Sequence, residues 1–463
     1  MLERFFVSSG ASRPTSSPAP ASGADGYETP FLVLKLKEGI DPKTIDGDIA
    51  RKIGGIDGPV IAPLGNRRYA VARTVSQELL AIYTGEKRGL IDAVRTINGI
   101  ERANLEKAAL IGNEYRNRVV PPHSILDECA RLDPGQIPWH LSAIQAPAAW
   151  EMLAAVGHEL RAPKLAYIGS GYSRHEAFEF RNKTAAPNII ETAGVNFVEM
   201  GCLPLEPVDH VGSPGRGTRV LSVVCGSRRF CPGAYPGLAT VVYRVADSAL
   251  VDRSCAPHIA RALRHAIFDA ACDVILFGCG DPCSYNNEIA EQLDAAYDNG
   301  VIVVAPAGEF AGELAYPARH RRTIAVSGIG LSRRPWSAAS RGLSVDVSAP
   351  ATEIFRADTV ATPQGERFIY RTGGASTAYA AAQTAAAAAI WLAFANRSLL
   401  RIGHTWRLVE AFRSSLRISA TKPSGWDDRL WGAGILNVAK LLAAEPPDPT
   451  ELVQCAPTIK EPS

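Results

Sequence analysis

A serine at the start of a long alanine-rich stretch is the residue of this chain with the clearest potential for chemistry. The segment Gly374-Ala375-Ser376 precedes an apolar run that continues to about Phe394. A serine on a glycine turn at a helix N-terminus can act as a nucleophile, because the turn exposes the hydroxyl and the helix dipole favours developing negative charge. A serine before an alanine-rich helix is equally an ordinary N-cap. The segment by itself leaves both interpretations open.

Composition and charge exclude several classes of function. The chain has 463 residues, 21% of them charged, with a formal net charge of +2, so no nucleic acid or other polyanion is implied as a partner. The N-terminus lacks the apolar core of a secretion signal. The most apolar stretch, 378–394, is mostly alanine and contains Gln383 and Thr384, so we expect no membrane span. These features predict a cytoplasmic protein.

Nine cysteines are an odd number for a large chain and favour reduced thiols over a disulfide framework. Cys279 and Cys283 lie four residues apart, but no second Cys/His pair stands at metal-ligand spacing. We therefore expect neither a metal site nor a cofactor.

The N-terminal quarter of the chain predicts a disordered leader followed by a small α+β domain. Residues 1–26 are rich in Ser, Pro and Ala and cannot bury enough apolar surface to fold. Residues 27–112 alternate between strand and helix patterns and are numerous enough to fold as a unit. The predicted strands are 31–36, 68–72 and 100–105, and the predicted helices are 42–53 and 87–97.

The rest of the chain predicts a large α/β domain. Residues 113–160 form a proline-rich linker and lead-in segment, 161–445 the domain itself, and 446–463 a flexible tail. Strand and helix patterns alternate, as in a doubly wound, mostly parallel sheet. Such sheets bind ligands at the carboxyl ends of their strands. The predicted strands are 165–168, 240–243, 274–277, 301–304 and 323–326, and the predicted helices include 257–271 and 287–297.

A series of motifs follows a fixed order between Asp133 and Leu442. In order and spacing, the series resembles the subtilisin-like serine proteases, and the resemblance implies their α/β fold. It also implies that residues 27–112 correspond to a propeptide, although an unrelated accessory domain remains an alternative. The motifs are 136–141, 146–150, 164–172, 215–220, 301–308, 316–318, 348–350, 374–376 and 431–437.

The resemblance also implies where the catalytic residues should lie, and most of them are replaced. Ser376 stands at the nucleophile position, but Gly169 stands at the position of the catalytic Asp and Arg216 at that of the catalytic His. Glu309 replaces the oxyanion-hole Asn. The substrate-edge strand is altered too, with Gly278-Cys279-Gly280 in place of the family's Ser-Leu-Gly.

These replacements predict loss of the family's reaction. A guanidinium group stays protonated and cannot take the proton of the serine, and a carboxylate opposes charge that develops on an oxyanion. In subtilisin, loss of the base removes about 10⁶-fold of turnover. We therefore expect a subtilase-like pseudoprotease that binds a polypeptide or protein partner in the former substrate cleft. An active serine endopeptidase with a rearranged site at Ser376 is the alternative.

Three further hypotheses concern the rearranged site. His175, or His210 beside Asp209, could reach Ser376 as a base. Glu309 suggests the chemistry of serine-carboxyl peptidases, which use acidic residues. Alternatively, Arg216 and Glu309 form an ion pair that fills the emptied cleft.

Overall fold

The structure of this chain is a computed structural model that describes thirteen parts of it. These are residues 30–37, 61–65, 68–71, 100–107, 136–156, 162–180, 188–206, 215–246, 255–279, 286–309, 314–362, 365–394 and 404–457. The predicted domain bounds, including the leader and the C-terminal tail, stay predictions.

A four-stranded antiparallel sheet forms in the N-terminal part. Its strands are β1 (Pro30–Leu36), β2 (Ile61–Gly65), β3 (Arg68–Val71) and β4 (Ile100–Lys107), in the order β2-β3-β1-β4. The structure confirms three predicted strands and adds β2, which the sequence pattern does not predict because Pro63 and Gly65 disfavour a strand. Proline is tolerated there because β2 is an edge strand. The predicted helices 42–53 and 87–97 lie outside the described residues.

A seven-stranded parallel sheet is the centre of the large domain and confirms the predicted α/β class. The strands are β5 (Lys164–Gly169), β6 (Val195–Asn196), β7 (Ala239–Arg244), β8 (Val274–Phe277), β9 (Ile302–Pro306), β10 (Ile324–Ile329) and β11 (Val347–Pro350). The sheet order is β11-β10-β9-β8-β5-β7-β6. The chain enters at β5, adds β6 and β7 on one side, and then crosses to β8 on the other, so β5 and β8 are neighbours at a topological switch point.

Helices cover the sheet, and their apolar sides form two buried clusters with it. Two of them, Ala256–Phe268 and Asn287–Asp298, confirm the predicted helices, although the first ends three residues earlier than expected. The helices are α1 (Trp139–Ala143), α2 (Ala146–Val156), α3 (Arg216–Cys225), α4 (Ala256–Phe268), α5 (Asn287–Asp298), α6 (Thr377–Phe394), α7 (Arg407–Ser419), α8 (Asp428–Trp431) and α9 (Val438–Ala443).

Helix α6 runs through the core directly after the serine turn. Ten of its eighteen residues are alanine, and every residue from Thr377 to Ala393 is buried. Small side chains let the helix approach the sheet closely, so its packing rather than an amphipathic pattern stabilises it. By length and composition α6 could also cross a membrane, but 94% of it is buried inside the protein, as is typical of a core helix.

A β-hairpin that the sequence pattern does not predict lies between β11 and α6. Its strands, β12 (Arg356–Thr362) and β13 (Gly365–Arg371), pair in antiparallel register and form a separate two-stranded sheet. β12 packs against α3, and a short 3₁₀ helix (Glu176–Phe178) after β5 lies beside β13. The hairpin therefore contacts segments that are distant in sequence.

Candidate functional site

The predicted site residues meet at the carboxyl edge of the parallel sheet. Gly169 ends β5, Gly278 follows β8 and Glu309 follows β9, and these three strands are neighbours. Ser376 is hydrogen-bonded to Glu309, and Arg216 is hydrogen-bonded to Gly278. Gly280, the last of the predicted cleft residues, lies outside the described residues.

Ser376 is the N-cap of α6, as the second of its two interpretations predicts. Its Oγ accepts a hydrogen bond from the N–H of Ala378 at 3.2 Å. The same hydroxyl donates to Oε1 of Glu309 at 2.7 Å. The side chain is 1% exposed, so the hydroxyl is engaged on both sides and shielded from solvent.

Four consecutive N–H groups at this helix start all donate within the protein. The N–H of Ser376 donates to the carbonyl of Ala351 at 2.9 Å, and that of Tyr379 donates to the carbonyl of Ser376 at 3.1 Å. Between them, the N–H of Thr377 donates to Glu309 Oε1 at 2.8 Å, and that of Ala378 to Ser376 Oγ at 3.2 Å. A bound oxyanion would have to displace one of these acceptors.

Glu309 acts as a second cap on α6. Its Oε1 accepts from the Thr377 N–H, and the Thr377 hydroxyl lies 3.4 Å from the same oxygen. The N–H of Gly308 donates in turn to Thr377 Oγ1 at 3.2 Å. A carboxylate at a helix N-terminus compensates the positive end of the helix dipole, so this arrangement stabilises the helix.

The turn that presents Ser376 is attached to β12 by a buried arginine. Arg356, 3% exposed, donates through Nη1 to the carbonyls of Gly373 and of Ile354, the latter at 3.1 Å. A Cβ at Gly374 would lie 2.8 Å from Arg356 Nη2, and the φ of Gly374 is +72°. This glycine is therefore required both by the backbone conformation and by the close approach of the guanidinium.

The ring of Tyr167 fills the space beside Gly169, where the resemblance places an Asp side chain. A Cβ at Gly169 would lie 2.5 Å from the hydroxyl oxygen of Tyr167 and 2.6 Å from Cζ. A Cβ at Gly278 would lie 2.3 Å from the same hydroxyl oxygen. The fully buried ring thus lies between two glycines of adjacent strands. Burial also raises the pKa of the phenol, which therefore stays neutral.

Arg216 and Cys279 leave little of the expected cleft edge open. Arg216 is 7% exposed, and its Nη2 donates to the carbonyl of Gly278 at 3.3 Å. The Cys279 side chain is buried, with Sγ 3.7 Å from the carbonyl of Ile168, and burial raises the pKa of its thiol to about 12. Cys279 is therefore a neutral core thiol rather than a cleft nucleophile.

A buried carboxyl group that the sequence does not reveal caps α3. Glu206, 4% exposed, accepts from the N–H groups of Gly217 at 2.9 Å and Thr218 at 3.2 Å. It also accepts from the hydroxyls of Thr218 and Ser173. Burial raises the pKa of Glu206 to about 7, although the hydrogen bonds and the charge of Arg219 act in the opposite direction.

Glu206 predicts a pH dependence of stability. Because its pKa rises from 4.5 to about 7 on folding, its contribution to the free energy of unfolding is complete below pH 4.5 and is lost as the pH rises through 7. The loss amounts to about 3 kcal/mol at most. Urea unfolding at a series of pH values from 5 to 8 measures it, with Glu206→Gln as the comparison. If the free energy of unfolding depends on pH with the same slope in both chains, the prediction is wrong.

His175, a predicted alternative base, is engaged elsewhere. Its Nδ1 accepts from the N–H of Ala177 at 3.0 Å, so Nε2 carries the proton and donates to the carbonyl of Ile369 at 3.2 Å. The ring is buried between Phe368 and Tyr370. Both ring nitrogens are therefore used by structural hydrogen bonds.

The other alternative base, His210 beside Asp209, and the predicted Arg216–Glu309 ion pair both stay predictions. Asp209 and His210 lie outside the described residues. The ion pair between Arg216 and Glu309 stays a prediction, since the contacts given above join these side chains to Gly278 and to the serine turn.

Two residues of the site escape sequence reasoning for different reasons. Tyr167 lies two residues before Gly169, and residues with this spacing share one face of a strand, so an aromatic at that spacing was a usable signal. Glu206 has no such signal, because it reaches α3 from a loop.

Within the described parts of the chain, no group of His, Cys, Asp and Glu could hold a metal ion, and the seven cysteines found there are free thiols.

Comparisons with known proteins find subtilisins and alkaline proteases that are similar to this chain. No protein-family model matches the chain. It is similar to Subtilisin Savinase of Lederbergia lenta, with 25% identity over 302 residues that cover 65% of this chain and 97% of that protein. It is also similar to an alkaline protease of Shouchella clausii (25% identity, 65% of this chain, 68% of that protein) and to Subtilisin E of Bacillus subtilis strain 168 (26%, 47% and 53%). The chain is thus related to the subtilisins, and its parallel α/β sheet is consistent with that relationship.

Proposed function

We propose that this chain is a subtilase-like pseudoprotease, without peptide-hydrolysing activity, that binds a polypeptide or protein partner through the former substrate cleft. The main support for the loss of activity is that the hydrogen-bonding groups at the start of α6 all have partners within the protein. The hydroxyl donates to Glu309, and the four N–H groups from 376 to 379 have acceptors within the protein. A peptide carbonyl would therefore find neither an activated nucleophile nor a donor for its developing charge.

The neighbouring residues support the same conclusion. Arg216 cannot act as a base, and it is held at the carbonyl of Gly278. The ring of Tyr167 excludes a side chain at position 169, so no orienting carboxylate can extend from there. Loss of the base alone removes about 10⁶-fold of turnover in subtilisin, so hydrolysis should be near background.

Binding of a polypeptide is supported by the location of the site and by the related proteins. The residues lie at the switch point between β5 and β8, where open α/β sheets bind their ligands. The relatives include alkaline proteases, which act on proteins. A protein of this fold that has lost the catalytic groups can still bind an extended chain at this edge of the sheet.

One contact favours a second candidate, an active serine endopeptidase with a rearranged site. The distance of 2.7 Å between Ser376 Oγ and Glu309 Oε1 is that of a nucleophile hydrogen-bonded to a base. The same carboxylate oxygen, however, also accepts the N–H of Thr377, as a cap does. We therefore prefer the pseudoprotease.

Labelling with a fluorophosphonate probe separates the two candidates. We expect the full chain to label no faster than its Ser376→Ala variant, because the hydroxyl is buried and bonded to Glu309. Intact mass spectrometry after incubation with the probe measures the label. Subtilisin E serves as the positive control, and stoichiometric labelling that Ser376→Ala abolishes would establish the enzyme instead.

Binding requires a separate measurement. Fluorescence polarisation with labelled, unfolded casein should show saturable binding to the full chain and equal binding to Ser376→Ala, which leaves the cleft walls unchanged. A linear, non-saturable signal would contradict the binding half of the proposal.

A further inference from the structure

The hairpin formed by β12 and β13 contacts the serine turn through its first residue. Arg356 donates to the carbonyl of Gly373, and its guanidinium is so close to Gly374 that a Cβ there would lie 2.8 Å from Nη2. The guanidinium also lies over the ring of Tyr379, at 5.4 Å from the ring centroid. Because Gly373 and Gly374 belong to the turn that leads into Ser376 through Ala375, the position of the serine depends on this strand.

The next two residues of β12 contact helix α3. The N–H of Ala357 donates to Ser222 Oγ at 3.0 Å. Asp358 forms a buried ion pair with Arg219, with Nη1 and Oδ1 at 3.0 Å and the two side chains 2% and 4% exposed. The backbone of Thr359 approaches Gly215 so closely that a Cβ there would lie 2.5 Å from its carbonyl oxygen. The start of α3, which includes Arg216, is therefore packed directly on β12.

The second strand contacts the segment that follows β5. His175 Nε2 donates to the carbonyl of Ile369, and its ring packs against Phe368 and Tyr370 with centroid distances of 4.9 Å and 5.0 Å. The hydroxyl of Tyr370 donates to Glu176 Oε1 at 3.0 Å. Within the hairpin, Arg371 on β13 lies 3.5 Å from Asp358 on β12, so the two strands share an ion pair.

We infer that this hairpin is a clamp that couples three separate segments of the site: the serine turn, the start of α3 and the loop after β5. The positions at which a subtilase would carry its triad, Gly169, Arg216 and Ser376, lie in or next to these segments, but the hairpin contacts involve other residues. Since one rigid two-stranded element joins them, loosening any one contact should loosen all three segments together. The cleft then behaves as one cooperative unit whose opening requires displacement of the hairpin.

Hydrogen–deuterium exchange of the full chain tests this coupling. The variant Asp358→Asn removes the ion pair with Arg219 at nearly constant side-chain shape. We expect amide exchange to rise by about tenfold or more at Arg219, at Thr377 and at Phe178. Asp358 contacts α3 directly, and α3 in turn contacts α6 and the segment after β5. The response of those two segments to Asp358→Asn therefore supports the inference only together with Tyr370→Phe, which removes a contact between β13 and Glu176 and must also raise exchange at Arg219 and Thr377.

Two further variants keep the test decisive. Tyr370→Phe removes one hydroxyl from β13 and is expected to raise exchange at the same three amides by a smaller factor, and it carries the test if Asp358→Asn does not fold. The control is Asn437→Ala, which removes the N-cap of α9, because Asn437 Oδ1 accepts a hydrogen bond from the N–H of Lys440. Its exchange is compared with that of the hairpin variants under conditions in which all have lost the same amount of midpoint temperature relative to the unchanged chain. If each hairpin variant raises exchange only in the segment that it contacts, the clamp is excluded. The readout does not depend on activity or on a partner, so this failure is distinct from failure of the proposed function.

Discussion

Gly169→Ala is expected to lower the free energy of unfolding by about 3 kcal/mol, while the same change costs under about 1 kcal/mol in a chain that carries Tyr167→Ala. The added methyl would lie 2.5 Å from the hydroxyl oxygen and 2.6 Å from Cζ of Tyr167. The ring has little room to move away, because it also fills the space at Gly278, where a Cβ would lie 2.3 Å from the same hydroxyl oxygen. Relief of this overlap should therefore appear only when the ring is removed.

A double-mutant cycle measures the effect by urea unfolding of the four chains. Tyr167→Ala is itself costly, since loss of a large buried side chain leaves a cavity, so the informative quantity is the coupling energy rather than either single value. Gly330→Ala is the matched control, because a Cβ there would meet its nearest neighbour at 3.6 Å, in ordinary contact. A coupling energy near zero would show that the ring is not what excludes a side chain at position 169.

This prediction bears on whether the protease site can be rebuilt. An Asp at position 169 would start from the same Cβ and meet the same ring. Substituting the family's residues at positions 169, 216 and 309 should therefore not restore hydrolysis while Tyr167 remains. The loss of the site is a matter of packing as well as of missing functional groups.

Glu309→Ala is expected to lower the free energy of unfolding by about 2 kcal/mol. The change removes the acceptor of the Thr377 N–H and of the Ser376 hydroxyl, and leaves the start of a buried helix without its negative charge. Glu309→Gln keeps an acceptor oxygen of the same reach and should cost less than about 1 kcal/mol. Thermal unfolding of the full chain compares the two variants.

Ser376→Ala provides the second side of this test. It removes the acceptor of the Ala378 N–H and should cost about 1 kcal/mol. Because Ser376 and Glu309 share one hydrogen bond, the double variant should lose less than the sum of the single losses. If Glu309→Ala leaves stability unchanged, the carboxylate is not a cap, and the interpretation of Glu309 as a base gains weight.

The carboxyl groups of Glu206 and Glu309 occupy N–H groups at two helix starts of this site. Glu206 caps α3 and Glu309 caps α6, so both helices that start at the cleft have side-chain acceptors for their first N–H groups. In an active hydrolase, the N–H groups at such a helix start would be available to the developing charge of the substrate. Here the stabilisation is present in the unliganded protein and is no longer available for catalysis.

The class of fold and the identity of the groups at the strand ends follow from the amino-acid sequence alone. Apolar runs such as 165–168 and 274–277, separated by helix patterns, are sufficient to predict a parallel α/β sheet, because fully buried strands lack polar alternation. The serine before an alanine-rich helix likewise predicts its own cap, since the interaction is local.

The contacts that these groups make depend on how distant segments pack together. That Tyr167 lies between Gly169 and Gly278 depends on β5 and β8 being neighbours, although more than one hundred residues separate these strands in the chain. The caps of Glu206 and Glu309, and the contacts of the hairpin with Arg219 and His175, likewise join segments whose approach no local pattern encodes. Residue types and spacing report local preferences, whereas the occupancy of a cleft is set by strand order and by side chains that meet across it.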